Sequence, residues 1–196
     1  MRFKIFEDVV KFHGHSCPGL AIGFKVAIAA LEELNLEPAY DEEIVCIVEN
    51  DSCAVDAIQV ITGCTFGKGN LIFKDYGKHV YTFFDRKKEL VVRISSYYEF
   101  KEKEEEKSIW QKFIQGEKSP EIMEFIHKRK AEKIKDILNA KKEDFLKITY
   151  PKIPFPHKAR IFKNIRCENC KEKVSEIKAR LFDGKIFCIP CFEALL

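Results

Sequence analysis

Four cysteines close the chain in two pairs, Cys167-Glu-Asn-Cys170 and Cys188-Ile-Pro-Cys191, with seventeen residues between them. A C-x-x-C turn points two thiolates at one ion, and two such turns brought together complete a tetrahedron of sulfurs. The protein then fills every ligand position, so the site is closed and structural. Zinc suits it first, and iron in the same sulfur cage second. The intervening KEKVSEIKARLFDGKIF reads as a hairpin turning at Asp183-Gly184. Residues 164–196 are too few to bury a sufficient apolar core unaided, and a metal staple supplies what is missing. The alternatives are two disulfides, or a redox C-x-x-C without metal, which needs only one pair.

A second set of such residues lies near the other end, in Phe12-His13-Gly14-His15-Ser16-Cys17-Pro18. In an extended chain, side chains 13, 15 and 17 share one face. Pro18 suits the first position of a following helix, which makes Cys17 its N-cap. There the positive end of the dipole favours a thiolate. Two imidazoles and one thiolate serve ligation of zinc or another soft metal. They also serve catalysis, with Cys17 as nucleophile, His15 as its base, and Lys68 or Lys78 holding an anion. The competing reading of the two histidines is a hydrogen-bonded structural feature. Cys53 and Cys64 flank a short helical segment where strands and helices change over, the usual place for sites. His13, His15, Cys17, Cys53 and Cys64 are therefore the candidate core ligands. Cys46 alternates with Ile44 and Val48 in an apolar run and reads as core packing.

These residues must be held by regular elements. Leu20, Phe24, Ile28, Leu31 and Leu34 recur at helical spacing, which predicts a helix from Pro18 to Leu34 that Asn35 and Pro38 end. Ile44–Glu49 predicts a buried strand, and Ala54–Thr62 a helix capped by Asp51 or Ser52. Asn70–Asp75, His79–Asp85 and Glu89–Tyr97 predict three strands. Turns at Tyr76-Gly77 and Asp85–Lys88 would make them an antiparallel meander. The fold class is α+β: a mostly antiparallel sheet with packed helices, plus a small treble-clef-like finger. A mixed charge run at 101–107 precedes two helical patterns. Ser119-Pro120-Glu121 starts the second, whose Ile122, Phe125, Ile126, Ile134, Ile137 and Leu138 line one face. Its basic run, Lys128, Arg129, Lys130, Lys133 and Lys135, reads as a solvated face, with a nucleic-acid surface as the rival. Three prolines in Tyr150–Pro156 favour extended chain. The expected domains are a core at 1–148, a linker at 149–163 and the finger at 164–196.

Composition bounds the rest. The chain has 196 residues, 46% of them hydrophobic, which excludes wholesale disorder. Thirty-four basic against thirty-one acidic residues leave +3, too balanced to argue for nucleic acid. The charged amino-terminal stretch has no signal-peptide core, and no run of eighteen apolar residues occurs. A cytoplasmic, membrane-free protein is expected. Eight cysteines in a reducing compartment point to metal or chemistry rather than disulfides. Abundant Lys, Glu and Ile suit a thermophile. Gly63–Gly69 is not a phosphate loop: only three residues separate Gly63 from Gly67, and a strand follows.

FHGHSCPGLAIGFKVAIAAL, with Cys53…Asp56-Ala-Ile-Gln, Gly63-Cys64-Thr65-x-Gly-Lys-Gly-Asn and Asp75-Tyr-Gly-Lys78, resembles the formylmethanofuran dehydrogenase E-subunit family over the first hundred residues. The resemblance implies an α+β core, a treble-clef-like zinc finger and a homodimer. It also implies association with other subunits of the enzyme that reduces carbon dioxide onto methanofuran. His15, Cys17 and Cys53 become the preferred core-site residues, with His13 and Cys64 beside them. No ferredoxin-type run of four close cysteines is present, so redox centres would sit on other subunits.

Overall fold

The computed structural model describes residues 5–100 and 104–196. The first four residues of the amino-terminal stretch, and the first three of the charged run at 101–107, lie outside that description. The chain divides into two compact units between Lys158 and Ala159.

In the first unit the elements run α1 (Phe6–His13), α2 (Pro18–Leu34), β1 (Ile44–Val48), α3 (Ala54–Thr62), β2 (Leu71–Phe73), β3 (Val80–Asp85), β4 (Leu90–Ser96), α4 (Glu104–Ile114), α5 (Pro120–Asn139), α6 (Lys142–Phe145) and β5 (Leu146–Thr149). The sheet order is β2-β1-β3-β4-β5. Three of its four pairings are antiparallel; β1 and β2 run parallel. The expected meander therefore holds only for β3 and β4. Tyr76-Gly77 makes no hairpin, because β1 is buried along nearly its whole length and pairs on both edges. Helix α3 is long enough to carry the chain back for a parallel partner, and Lys74–His79 then crosses to the far edge of β1. The turn after β3 is as expected. The buried Asp85 Oδ1 accepts from the N–H groups of Lys87 and Lys88, an Asx turn that fixes the hairpin.

Strand alternation gives the sheet two different faces. Ile44, Cys46, Val48, Tyr81, Phe83, Val92 and Ile94 join α1, α2, α3 and α5 in the main core. Cys46 packs there as its alternation predicted. Each large side chain so buried contributes roughly 1.5–3 kcal/mol. Val45, Phe84 and Val91 form a smaller cluster on the other face. Phe155 covers it, edge-on to Phe84 at 5.3 Å between ring centroids. Arg86 donates to the carbonyls of Pro156 and His157. The proline-rich segment is thus a strap tied to the core through His157, and its first expected residue, Thr149, belongs to β5.

Helix α2 packs most closely on α3. A Cβ on Gly23 would stand 2.2 Å from the carbonyl oxygen of Ala54, so the two backbones touch. In α5, Ile122, Ile126 and Ile137 are buried as the periodicity predicts. Its basic run is not wholly solvated. Arg129 is only 3% exposed, with its guanidinium 4.7 Å from the centroid of the Trp110 ring. Lys133 lies 4.7 Å over Phe100. Aromatic rings of the preceding segment draw these two cations inward.

The second unit holds two hairpins, β6 (Asn164–Arg166) with β7 (Lys173–Ser175), and β8 (Arg180–Phe182) with β9 (Lys185–Phe187). A short helix, α7 (Ile189–Glu193), follows them.

Candidate metal centres

The core site begins where α1 stops. Gly14 takes φ 92°, a left-handed conformation that costs glycine little, and its N–H closes the helix on the Val10 carbonyl. The chain reverses there. His13 is therefore helical rather than extended, and the turn at Gly14, not strand alternation, brings His13 and His15 together, 4.4 Å between ring centroids. Cys17 is extended and caps α2, its sulfur accepting the Leu20 N–H at 3.3 Å. Cys53 arrives from the β1–α3 turn. Neither Asp51 nor Ser52 caps α3; Cys53 holds that position. The buried Asn50 shapes the turn, accepting from the Ser52 N–H and hydroxyl and donating to the Lys78 carbonyl and the Tyr81 hydroxyl.

The result is a cluster from three segments. One ring nitrogen each of His13 and His15 and the sulfurs of Cys17 and Cys53 all lie within 4.8 Å of one another. Two thiols and two imidazoles form a borderline-soft set suited to zinc. The His13 Nε2 is buried and has no hydrogen-bond partner among the described residues. An unsatisfied lone pair among sulfurs is what a ligand to an ion looks like without the ion, so the residues fit a metal.

Cys64 does not join them. It is fully buried, donates its thiol to the Ile44 carbonyl at 3.5 Å, and burial pushes its pKa to about 11. Its place past α3 faces the core rather than the cluster. The Cys17 thiol is not activated either. Burial raises its pKa, the Leu20 N–H lowers it, and the neighbouring Cys53 thiol raises it again. Desolvation outweighs the helix N-terminus, which counts against a free thiolate nucleophile. The Lys68 ammonium donates to the Ala39 and Tyr40 carbonyls, and neither Lys68 nor Lys78 lines the adjoining cleft. That cleft encloses about 400 Å³ between His13, Cys53, Asp56, Gln59, Phe66 and Phe73, among others.

Asp56 is the neighbour that residue types alone did not single out as part of the site. Its Oδ2 lies 2.7 Å from the His13 Nδ1. Spacing carried the only signal: Cys53 and Asp56 stand three apart, on one face of a helix.

The finger gathers all four predicted ligands. Cys167 and Cys170 sit in the turn between β6 and β7, closed by the Lys171 N–H on the Cys167 carbonyl at 3.1 Å. Cys188 caps α7 and Cys191 lies within it. The four sulfurs lie within 4.8 Å of one another, and Cys170 and Cys188 are 3.8 Å apart. A tetrahedron with zinc–sulfur bonds of 2.3 Å has edges of about 3.8 Å. Burial works to raise the Cys167 pKa, but the N–H groups of Cys188, Cys170 and Asn169 outweigh it and bring it to about 6. Cys170 goes the other way. Against the pull of the Glu172 N–H, burial and three nearby sulfurs push it to about 12. Sulfurs this crowded ionise together only around a cation.

Comparison with known proteins covers both units. Residues 12–147 match the family described as FmdE, Molybdenum formylmethanofuran dehydrogenase operon. Residues 160–195 match the prokaryotic dksA/traR C4-type zinc finger. A probable S-adenosyl-L-methionine-binding protein of Archaeoglobus fulgidus is 33% identical over 189 residues. That alignment covers 92% of this chain, which spans about half the length of that relative. The crystal structure of an FmdE-like protein of tungsten formylmethanofuran dehydrogenase from Syntrophus aciditrophicus superposes with a TM-score of 0.61 at 28% identity, covering 96% of this chain and 90% of the other. Among the described residues, no helix is long and apolar enough to cross a membrane. The chain belongs to the FmdE family and carries a C4-type zinc finger after its α+β core.

Proposed function

We propose that this protein is a metal-binding accessory subunit, one ion in the finger and a second, zinc or another soft metal, in the core. The finger ion folds the small second unit. The core ion is held by Cys17, Cys53, His13 and His15. The observation that carries this reading is the convergence of those four side chains, from segments separated by up to forty residues, on one point with a buried imidazole nitrogen left over. Family membership supports a place beside formylmethanofuran dehydrogenase, in the reduction of carbon dioxide onto methanofuran, with the chain acting as a cytoplasmic homodimer without its own redox centre. Metal content per chain tests the central claim. Wild type should hold two ions, Cys17→Ser one, and Cys188→Ser one. A single ion in wild type, retained in Cys17→Ser, would refute the core centre. Copurification with dehydrogenase subunits from the native source tests the partnership.

The cleft beside the core cluster favours a second reading, in which the same centre acts on a small molecule as a free-standing enzyme. A protein that stays separate from every dehydrogenase subunit at all salt concentrations would favour it.

A further inference from the structure

We propose that Asp56 is a positioning residue of the core centre: it holds His13 with its proton on Nδ1 and so presents Nε2 as the ligand atom. This deepens the metal reading above and rests on it for its functional consequence.

An ionised carboxylate only accepts hydrogen bonds. At 2.7 Å from Asp56 Oδ2, the His13 Nδ1 must therefore carry the hydrogen. The lone pair of the neutral ring is then on Nε2, the buried atom without a partner. The histidine side chain is 12% exposed and the aspartate 36% exposed, so the pair is half shielded from water and its geometry is held. The other carboxylate oxygen is engaged too. Gln59 Nε2 donates to Asp56 Oδ1 at 3.4 Å, and Gln59 Oε1 accepts the Phe66 N–H at 3.3 Å. Cys53, Asp56 and Gln59 recur every three residues, so one rigid helix start carries a ligand, the group that orients a second ligand, and the brace behind it. His13 comes from a different helix. The hydrogen bond thus also fixes the end of α1 against α3 at the site. A carboxylate behind a ligating imidazole raises its basicity, and losing such a partner typically costs 10–100-fold in metal affinity.

The tautomer belongs to the protein itself and can be read without the core metal. The full-length protein, its histidines labelled with nitrogen-15 and its finger zinc retained, is compared with Asp56→Asn and Asp56→Ala by long-range proton–nitrogen spectra. The His13 signals are assigned with His13→Gln. Wild type and Asp56→Asn, which keeps an acceptor oxygen, should show the proton on Nδ1; Asp56→Ala should move it to Nε2. Zinc titration against a chelator should then show the core affinity of Asp56→Ala down about 10–100-fold, that of Asp56→Asn reduced less, and the finger unchanged. A wild-type ring protonated on Nε2 overturns the proposal. So does a core affinity unaltered by a reversed tautomer. If wild type takes up no second zinc, the metal reading fails by itself, and the wild-type spectrum alone decides whether Asp56 holds the ring.

Discussion

Gly23 of α2 and Ala54 of α3 meet backbone to backbone; a methyl on Gly23 would lie 2.2 Å from the Ala54 carbonyl oxygen and 2.5 Å from its Cα. Cys17 opens one of these helices and Cys53 opens the other. The close crossing is what sets the two thiols side by side. Backbone cannot swing away as a side chain can, so Gly23→Ala must separate the helices. It should cost about 3 kcal/mol in a denaturant melt and remove the core ion while leaving the finger ion in place. Unchanged metal content would show that the crossing does not govern the centre.

The raised pKa of Cys17 makes core metal uptake depend on pH. The thiol must lose its proton to ligate, and at neutral pH burial and Cys53 keep it protonated. Zinc affinity of the core should climb about tenfold per pH unit for each thiol ionised, measured by chelator competition between about pH 6 and 8. Without core metal, iodoacetamide should alkylate Cys17 more slowly than a free cysteine derivative. A flat affinity profile would exclude thiolate ligation.

Glu33 should contribute to acid sensitivity. Its carboxylate accepts from Lys142 Nζ at 2.7 Å and from the Tyr150 hydroxyl. Those two partners, the lysine first, hold its pKa below the ordinary value. A carboxyl lowered on folding stabilises above its unfolded pKa, and that stability is lost as pH falls through the folded one. Glu33→Gln should cost about 1 kcal/mol at neutral pH. The gap to wild type should close below about pH 4. A gap that persists in acid would assign the effect to packing.

Arg129 holds α4 to α5 through the Trp110 ring. Arg129→Ala should lower stability by about 1–2 kcal/mol. Because Trp110 is the only tryptophan, its emission should shift to the red. An unmoved spectrum would mean that the stacking is not maintained in solution.

Sequence periodicity and capping determined what depends on near neighbours. Helix α2 runs from Pro18 to Leu34 with Cys17 as its cap, as the spacing and Pro18 predicted, because a cap and an apolar stripe act within a few residues. Two C-x-x-C pairs likewise named the four finger ligands, since each pair is built by one turn. Tertiary structure decided everything set by distant surfaces. Helix α3 carries β2 back to pair parallel with β1, against the expected meander, because the buried β1 needs a partner on each edge. Cys64 and Arg129 turned inward because the surfaces waiting for them, the strand at Ile44 and the ring of Trp110, lie twenty and nineteen residues away. Asp56 reached His13 across forty-three residues. Local spacing fixes which face of a helix a residue occupies; only the packed fold decides what that face meets.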